Sequence, residues 1–211
     1  MKVAVFSESP ADEAAMWIVM RALRGDNLER VAVPASLRTH GWPSVRDLLP
    51  STLRYLFYRT DADGLVVLAD SDHTPLHVAA HDQPGGYDPA CRLCELRTAG
   101  GRTLDELHAK ISGRKMRLAI ALAVPAVEAW WRCGIDVHAT EQAWSRGLPA
   151  GPFPFTRSDL KRAIYGTDRP SLPVETEKMA ASAQRLSGDL SSLERHFPVG
   201  FGSFASDFRS W

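Results

Sequence analysis

Two uninterrupted apolar runs, residues 65–69 and 118–124, constrain the fold of this chain more than any other feature. Continuous rather than alternating apolarity indicates strands that are covered on both faces, as in a parallel sheet. Shorter runs at residues 2–6 and 28–33 predict two further strands. Helical patterns with short connections separate these runs, so the sequence predicts an α/β fold with a mainly parallel sheet flanked by helices.

Helical periodicity fills the connections between the predicted strands. The first helix begins at Pro10 with Ser9 as its N-cap, carries apolar residues along one face, and ends near Gly25. Further helices are predicted over residues 44–58, 91–97, 103–111 and 125–131.

No strand is predicted after Asp136. A Gly/Pro-rich joint at residues 147–154 separates helical pieces, and residues 175–195 have a helical pattern. The tail places Phe201, Phe204, Phe208 and Trp211 at helical spacing, which predicts a stripe packed in a core. We therefore predict an α/β core over residues 1–135 and a helical extension, packed on that core, over residues 136–211.

Composition excludes several function classes. Lys+Arg and Asp+Glu both number 25, and this zero net charge argues against a strongly basic protein that coats nucleic acid, while a local basic patch stays open. The longest apolar run, residues 118–127, is half the ~20 residues of a membrane span. Three cysteines with one close pair fit a reducing compartment better than a disulfide framework. We expect a cytoplasmic protein without a membrane segment.

Carboxylates follow three of the predicted strands. Glu8 follows the first strand, Asp70 and Asp72 follow the strand at 65–69, and Glu128 lies one helical turn beyond the strand at 118–124. Ligands of open α/β sheets bind outside the carboxyl ends of the strands. Four converging carboxylates would repel one another without a cation, and hard oxygen ligands suit Mg²⁺ or Mn²⁺. The alternative is that each acid is only a helix cap or turn residue.

These segments resemble a known family. The Glu8 opening with Asp12 and Glu13 is similar to the Glu-Gly-x-x-Glu-Glu start of small TOPRIM-like proteins, although Ser9 stands where glycine is usual. Residues 66–72, Val-Val-Leu-Ala-Asp-Ser-Asp, resemble the TOPRIM Asp-x-Asp strand. Three more segments resemble one uncharacterised bacterial TOPRIM-like family: Glu128-Ala129-Trp130 its Glu-Ala-Trp motif, residues 203–208 its Ser-Phe-x-x-Phe tail, and residues 159–164 its Pro-Lys-x-x-Leu segment. Residues 73–89 look like an insertion.

The resemblance implies a TOPRIM-like (Rossmann-like) fold and Mg²⁺-dependent phosphodiester chemistry on nucleic acid. Glu8, Asp70, Asp72 and Glu128 are then the predicted metal-holding and catalytic residues, with Glu8 either a ligand or a general base. Relatives often accompany an ATPase partner in bacterial defence or mobile-element loci, so the resemblance implies an antiviral defence component as one setting. The alternative is a non-catalytic adaptor that binds an ATPase or other protein, for which an exposed stripe of Phe201, Phe204 and Phe208 would be the expected mark.

Basic residues in one predicted helix and its lead-in are candidates for binding the phosphates of the substrate. They are Arg157, Lys161 and Arg162, and the alternative is that they form a solvated helix face.

A second metal site is suggested by the pattern H-x3-H-x9-C-x2-C. His77, His81, Cys91 and Cys94 could form a tetrahedral Zn²⁺ site that staples a loop rich in glycine and proline. The alternative is that the cysteines lie on a helix, with Cys94 packed inward, and that the histidines are exposed.

Overall fold

Four parallel strands form the centre of the computed structural model, which describes residues 1–25, 27–37, 41–147 and 156–211, the side chains of 146 and 147 aside. The strands are β1 (Lys2–Phe6), β2 (Glu29–Arg30), β3 (Gly64–Asp70) and β4 (Arg117–Ala123). Their order in the sheet is β2-β1-β3-β4, and every pairing is parallel. The predicted α/β class and parallel sheet are therefore confirmed, while the finer TOPRIM-like assignment stays a prediction.

Alternate residues of each strand enter two different hydrophobic layers, because successive side chains of a strand point to opposite faces. Val3, Val5, Val66 and Leu68 belong to the layer that contains the first helix and the C-terminal helices. The other layer contains Ala4, Phe6, Leu65 and Val67 with the helices that precede β3 and β4. All seven residues of β3 are buried, and this explains why its sequence shows no polar alternation.

Nine helices surround the sheet in the described part of the chain. They are α1 (Pro10–Arg24), α2 (Trp42–Arg59), α3 (Arg92–Lys110), α4 (Val127–Trp131), α5 (Glu141–Gly147), α6 (Arg157–Tyr165), α7 (Leu172–Leu186), α8 (Leu190–His196) and α9 (Ser203–Arg209). A 3₁₀ turn covers Ala79–Asp82, another covers Ala35–Leu37, and a π-helical turn at Pro198–Gly202 precedes α9. None of the helices described is long and apolar enough to cross a membrane.

The structure corrects several predicted boundaries. Strand β2 covers two exposed residues rather than residues 28–33. The two helices predicted over 91–97 and 103–111 are the single helix α3. Its Gly100 lies so close to Leu118 that an added Cβ would be 2.2 Å from Leu118 Cδ2, so this glycine permits close packing and does not end the helix.

Two more boundaries differ in the second half of the chain. Helix α4 begins at Val127 rather than at Pro125. The helix predicted over 175–195 is divided into α7 and α8, because Asp189 caps the N-terminus of α8 by accepting a hydrogen bond from the Ser192 backbone. The predicted joint at 147–154 lies almost entirely outside the described residues.

The C-terminal helices share a hydrophobic layer with the sheet. Phe201, Phe204 and Phe208 are fully buried and pack with Trp130 and Val66 in one cluster, so the predicted core role of the aromatic stripe is confirmed. Because this cluster joins residues on both sides of position 135, the division between core and extension stays a prediction.

Candidate functional site

The four predicted carboxylates lie at the carboxyl edge of the sheet, and we call them the acidic rim: Glu8, Asp70, Asp72 and Glu128. Glu8 follows β1, Asp70 is the last residue of β3, and Glu128 is in the first turn of α4, which follows β4. Strand β1 lies between β2 on one side and β3 on the other, so the rim spans the place where the strand order reverses. Ligands of open α/β sheets bind at such switch points.

Backbone hydrogen bonds join the three strand ends at the rim. The Asp70 amide donates to Glu8 Oε1 at 3.1 Å, and the Val127 amide donates to Asp70 Oδ1 at 2.9 Å. The Asp72 amide donates to the Pro125 carbonyl at 2.8 Å, with Asp72 in the left-handed region at φ 50°. Carboxylates that are far apart in the chain are thus held together by the fold.

Two arginines neutralise part of the rim. Arg157, the first residue of α6, bridges both aspartates: its Nη2 lies 2.7 Å from Asp70 Oδ2 and its Nη1 contacts Asp72 Oδ1. Arg92, the first residue of α3, lies 2.7 Å from Asp72 Oδ2 and donates to the Asp70 carbonyl. The Arg92 guanidinium also packs over the ring of Trp42, 4.5 Å from its centroid.

The arginines do not offset all of the negative charge. Burial, reinforced by Glu128 and Glu8, raises the pKa of Asp70 well above its usual range despite Arg157. Burial also raises the pKa of Glu8, with a further contribution from Asp72. A carboxyl whose proton is bound more tightly because of its neighbours is a group that gains from an added cation.

The sequence did not predict all of the polar groups that surround Glu128 at the buried side of the rim. Glu128 is buried and accepts a hydrogen bond from the hydroxyl of Tyr165 at 3.2 Å. Asp12 lies near it, and burial together with Glu128, Glu175 and Glu8 raises the pKa of Asp12 to about 8. Ser9 is the N-cap of α1 as predicted, and Asp12 completes a capping box with it, but the sequence pattern predicted neither the box nor that this acid faces the rim.

The predicted phosphate-binding residues lie on α6 with Arg157. Lys161 follows Arg157 by one helical turn. Burial and Glu128 raise the pKa of Glu175, and the charge of Lys161 lowers it, so Lys161 lies near the buried side of the rim. Arg162 pairs instead with Asp168 at 3.2 Å, and its side chain is 59% exposed. Arg157, the third residue of this group, contacts the rim directly.

A second group of ligand atoms, the tetrad, consists of His77, His81, Cys91 and Cys94. One nitrogen or sulfur atom from each lies within 4.8 Å of the others, and this is the only group of three or more His, Cys, Asp or Glu side chains that does so among the described residues. His77, Cys91 and Cys94 are buried, and His81 is partly exposed. The tetrad is compatible with a metal site, and the alternative in which the histidines are exposed is wrong for His77.

Comparisons of the chain with protein-family models, with curated proteins and with solved structures find no match.

Proposed function

We propose that this protein is a TOPRIM-like nuclease that hydrolyses phosphodiester bonds of a nucleic acid at the acidic rim, with Mg²⁺ or Mn²⁺ as cofactor. The observation that carries the proposal is the convergence of Glu8, Asp70 and Glu128 from three strand ends at the switch point of the sheet. This edge is where an α/β sheet binds ligands, and carboxylate oxygens are the ligands that suit a hard divalent cation.

The rim fits such a cation by donor type and by charge, whereas no three of its ligand atoms, all on residues that the structure describes, lie within 4.8 Å of one another as those of the tetrad do. Asp70, Asp72 and Glu128 would hold it, with Glu8 as a fourth oxygen ligand or as the base. The chemistry that a bound Mg²⁺ supplies is charge neutralisation at the scissile phosphate and a lower pKa of its bound water. The raised pKa of Asp70, caused first by burial and then by Glu128 and Glu8, supports the fit, because a cation bound among these carboxylates would stabilise the charged form.

The remaining roles follow from the positions of the side chains. Glu8 is partly exposed at the edge, and burial raises its pKa, which makes it a stronger base toward water than an ordinary carboxylate. Arg157 is the cation nearest to Asp70 and Asp72, and once a metal has replaced it there its guanidinium can bind a phosphate in bidentate fashion. Lys161 extends this positive charge along α6.

The non-catalytic adaptor is the weaker alternative, because its expected mark is missing. Phe201, Phe204 and Phe208 are buried in the core and offer no surface to a partner. An ATPase partner and a role in bacterial defence remain expectations from the resemblance. The tetrad supplies no ligand to the proposed cleavage.

Plasmid nicking in the presence of Mg²⁺ tests the proposal. The wild-type protein should nick, and Glu8→Gln and Asp70→Asn should each lower the rate by at least about a hundredfold, because even partners outside the ligand shell are worth about 10–100-fold. Asp105→Asn, an exposed carboxylate on α3, is the matched control and should retain the wild-type rate. Nicking that survives both rim substitutions unchanged would end this mechanism.

A further inference from the structure

The loop between β3 and α3 has little to hold it in place apart from the tetrad. Residues 73–91 contain one short 3₁₀ turn and no strand, and Val78 and Tyr87 are about half exposed. In contrast, His77 is 7% exposed although imidazole is polar, and Cys91 at the end of the loop is fully buried. Burying polar groups in a loop with so little apolar cover requires that they be paired or bound.

Hydrogen bonds alone do not account for the contacts within the tetrad. His77 Nδ1 lies 3.7 Å from Cys91 Sγ and 3.4 Å from Cys94 Sγ, and Cys94 Sγ also lies 3.5 Å from His81 Nδ1. Each thiol has one proton and each neutral imidazole one acceptor nitrogen, so at most two of these three contacts can be hydrogen bonds. A cation shared by the four atoms satisfies all of them.

The separations also fit one particular cation. With Zn–S of about 2.3 Å and Zn–N of about 2.0–2.1 Å, a tetrahedral centre places its sulfur and nitrogen ligands about 3.6 Å apart. The three observed separations, 3.4, 3.5 and 3.7 Å, surround this value. Two thiolates and two imidazoles are also the donor set of structural zinc sites.

The outer nitrogens of both histidines face carboxylates. His77 Nε2 lies 3.1 Å from both Asp82 oxygens and also 3.1 Å from Arg97 Nη1, which pairs with Asp82 at 3.0 Å. His81 Nε2 lies 3.8 Å from Asp88. A proton on Nε2 that faces a carboxylate leaves the lone pair on Nδ1, the atom that faces the cysteines, and metal-binding histidines are oriented in this way.

We propose that His77, His81, Cys91 and Cys94 bind a structural Zn²⁺, and that this ion holds Arg92 in the acidic rim. Arg92 lies between the two cysteines in the chain, in the first turn of α3. Its guanidinium reaches Asp72, the residue just before the loop, so an ion pair joins the two ends of the loop, and the tetrad joins its middle to the start of α3. The zinc assignment does not depend on the proposed hydrolysis. Only the use of a fixed Arg92 in catalysis rests on that proposed function.

Metal analysis of the full-length, untagged protein, purified under reducing conditions, tests the zinc assignment. We expect one zinc per chain, and we expect Co²⁺ substitution to produce the d–d bands of tetrahedral cobalt with thiolate charge transfer. Cys133→Ser is the matched control, because Cys133 is also buried and lies 3.5 Å from a histidine, His196 Nδ1, but belongs to no group of four. Wild-type protein that holds no stoichiometric zinc after reconstitution would overturn the proposal, whatever its activity.

Loss of a buried cysteine can prevent folding, so a milder variant is needed. His81→Ala removes the partly exposed ligand and should leave the fold intact, as checked by circular dichroism, while a chelator removes zinc far faster than from the wild type. Unchanged zinc retention in folded His81→Ala would show that the four side chains do not form one site.

Amide hydrogen exchange tests the link to the rim without any activity measurement. Removing zinc should speed exchange by at least about tenfold at Ser71 and Asp72, whose amides donate to the carbonyls of Ala123 at the end of β4 and of Pro125 beyond it. The Asp63 amide, at the other end of β3, should be unaffected. If zinc removal also speeds exchange at the Asp63 amide, the same amides are compared between the wild type and His81→Ala instead of the zinc-free protein. Equal exchange at Ser71 and Asp72 with and without zinc would refute the coupling even where zinc is bound.

Discussion

The acidic rim and the tetrad are neighbouring groups of ligand side chains that are built in opposite ways. In the rim, Arg157 and Arg92 lie among the carboxylates, so the protein itself supplies cations that oppose the repulsion. In the tetrad, four nitrogen and sulfur atoms face one another, and the nearby Arg97 contacts only the outer side of His77. The two groups meet at Arg92, which lies between two tetrad cysteines and binds a rim aspartate.

This difference predicts different uses of metal. Carboxylates that arginines already pair can fold without a metal, because part of their repulsion is already offset. The tetrad atoms face one another without a protein cation among them. A bound metal ion would therefore supply all of their charge compensation, so metal binding there contributes to folding. The rim is thus suited to chemistry and the tetrad to structure.

The largest expected effect separates the two groups by metal removal. Stripping zinc should lower the free energy of unfolding by at least about 3 kcal/mol, a part of what structural zinc supplies to domains that cannot fold without it. For a chain of this length the melting temperature should then fall by about 6–12 °C. Removing Mg²⁺ alone should change it little. Equal losses on removing either metal, measured by calorimetry, would contradict the contrast between the groups.

Removal of Arg157, the arginine that pairs with both rim aspartates, should have the next largest effect. Arg157→Ala leaves Asp70 and Asp72 without their shared partner and should cost about 1–3 kcal/mol, below the range for fully buried pairs because the arginine side chain is 37% exposed. Added Mg²⁺ should restore more stability to this variant than to the wild type.

The control for that variant is Arg162→Ala on the same helix. Arg162 pairs with Asp168 at the surface, so its loss should cost less than about 1 kcal/mol and should not depend on Mg²⁺. A similar Mg²⁺ response in both variants, followed by thermal melts, would mean that Arg157 does not occupy the place of a metal.

The pH dependence of stability compares the aspartates of two capping boxes, one near the rim and one at the surface. The pKa of Asp12 in α1 is raised to about 8, so its contribution is full below about pH 4 and is lost as the pH rises through 8. In metal-free buffer, stability should fall over this window by at most about 1.4 kcal/mol per pH unit from this group, and Asp12→Asn should flatten the fall.

Asp159 in the capping box of α6 provides the opposite sign. Hydrogen bonds from the Thr156 backbone and side chain lower the pKa of Asp159, so its contribution is present above its usual pKa and is lost as the pH falls. Asp159→Asn should therefore leave the fall between pH 4 and 8 unchanged. Urea titrations at several pH values measure both variants, and identical profiles for the two would contradict a rim of excess negative charge.

The smallest expected effect concerns substrate binding. Lys161→Ala should weaken nucleic-acid binding by a few fold, with a shallower dependence on salt, because one phosphate contact is lost. Arg162→Ala should have a smaller effect, since Asp168 already pairs that side chain. Fluorescence anisotropy at two salt concentrations measures the affinity of both variants. A larger loss in Arg162→Ala would mean that the nucleic acid binds along the outer face of α6.

Local patterns predicted much of the fold because they depend on burial alone. The continuous apolar runs at 65–69 and 118–124 are strands since both faces of β3 and β4 are covered. One boundary that failed depended on a distant contact: Gly100 does not end α3 but lets it pack closely against Leu118. The spacing of His77, His81, Cys91 and Cys94 pointed to a joint site, and its geometry came from how the loop folds over α3.

The sequence by itself determined which carboxylates stand after strands, because strand ends are visible in hydrophobicity and parallel strands share one carboxyl edge. Only the tertiary structure decided what lies among them. Arg157 and Asp70 are 87 positions apart, and Arg92 reaches Asp72 across an entire loop. Charge pairing over such distances leaves no periodic signal in a sequence, since it depends on where α3 and α6 pack against the sheet.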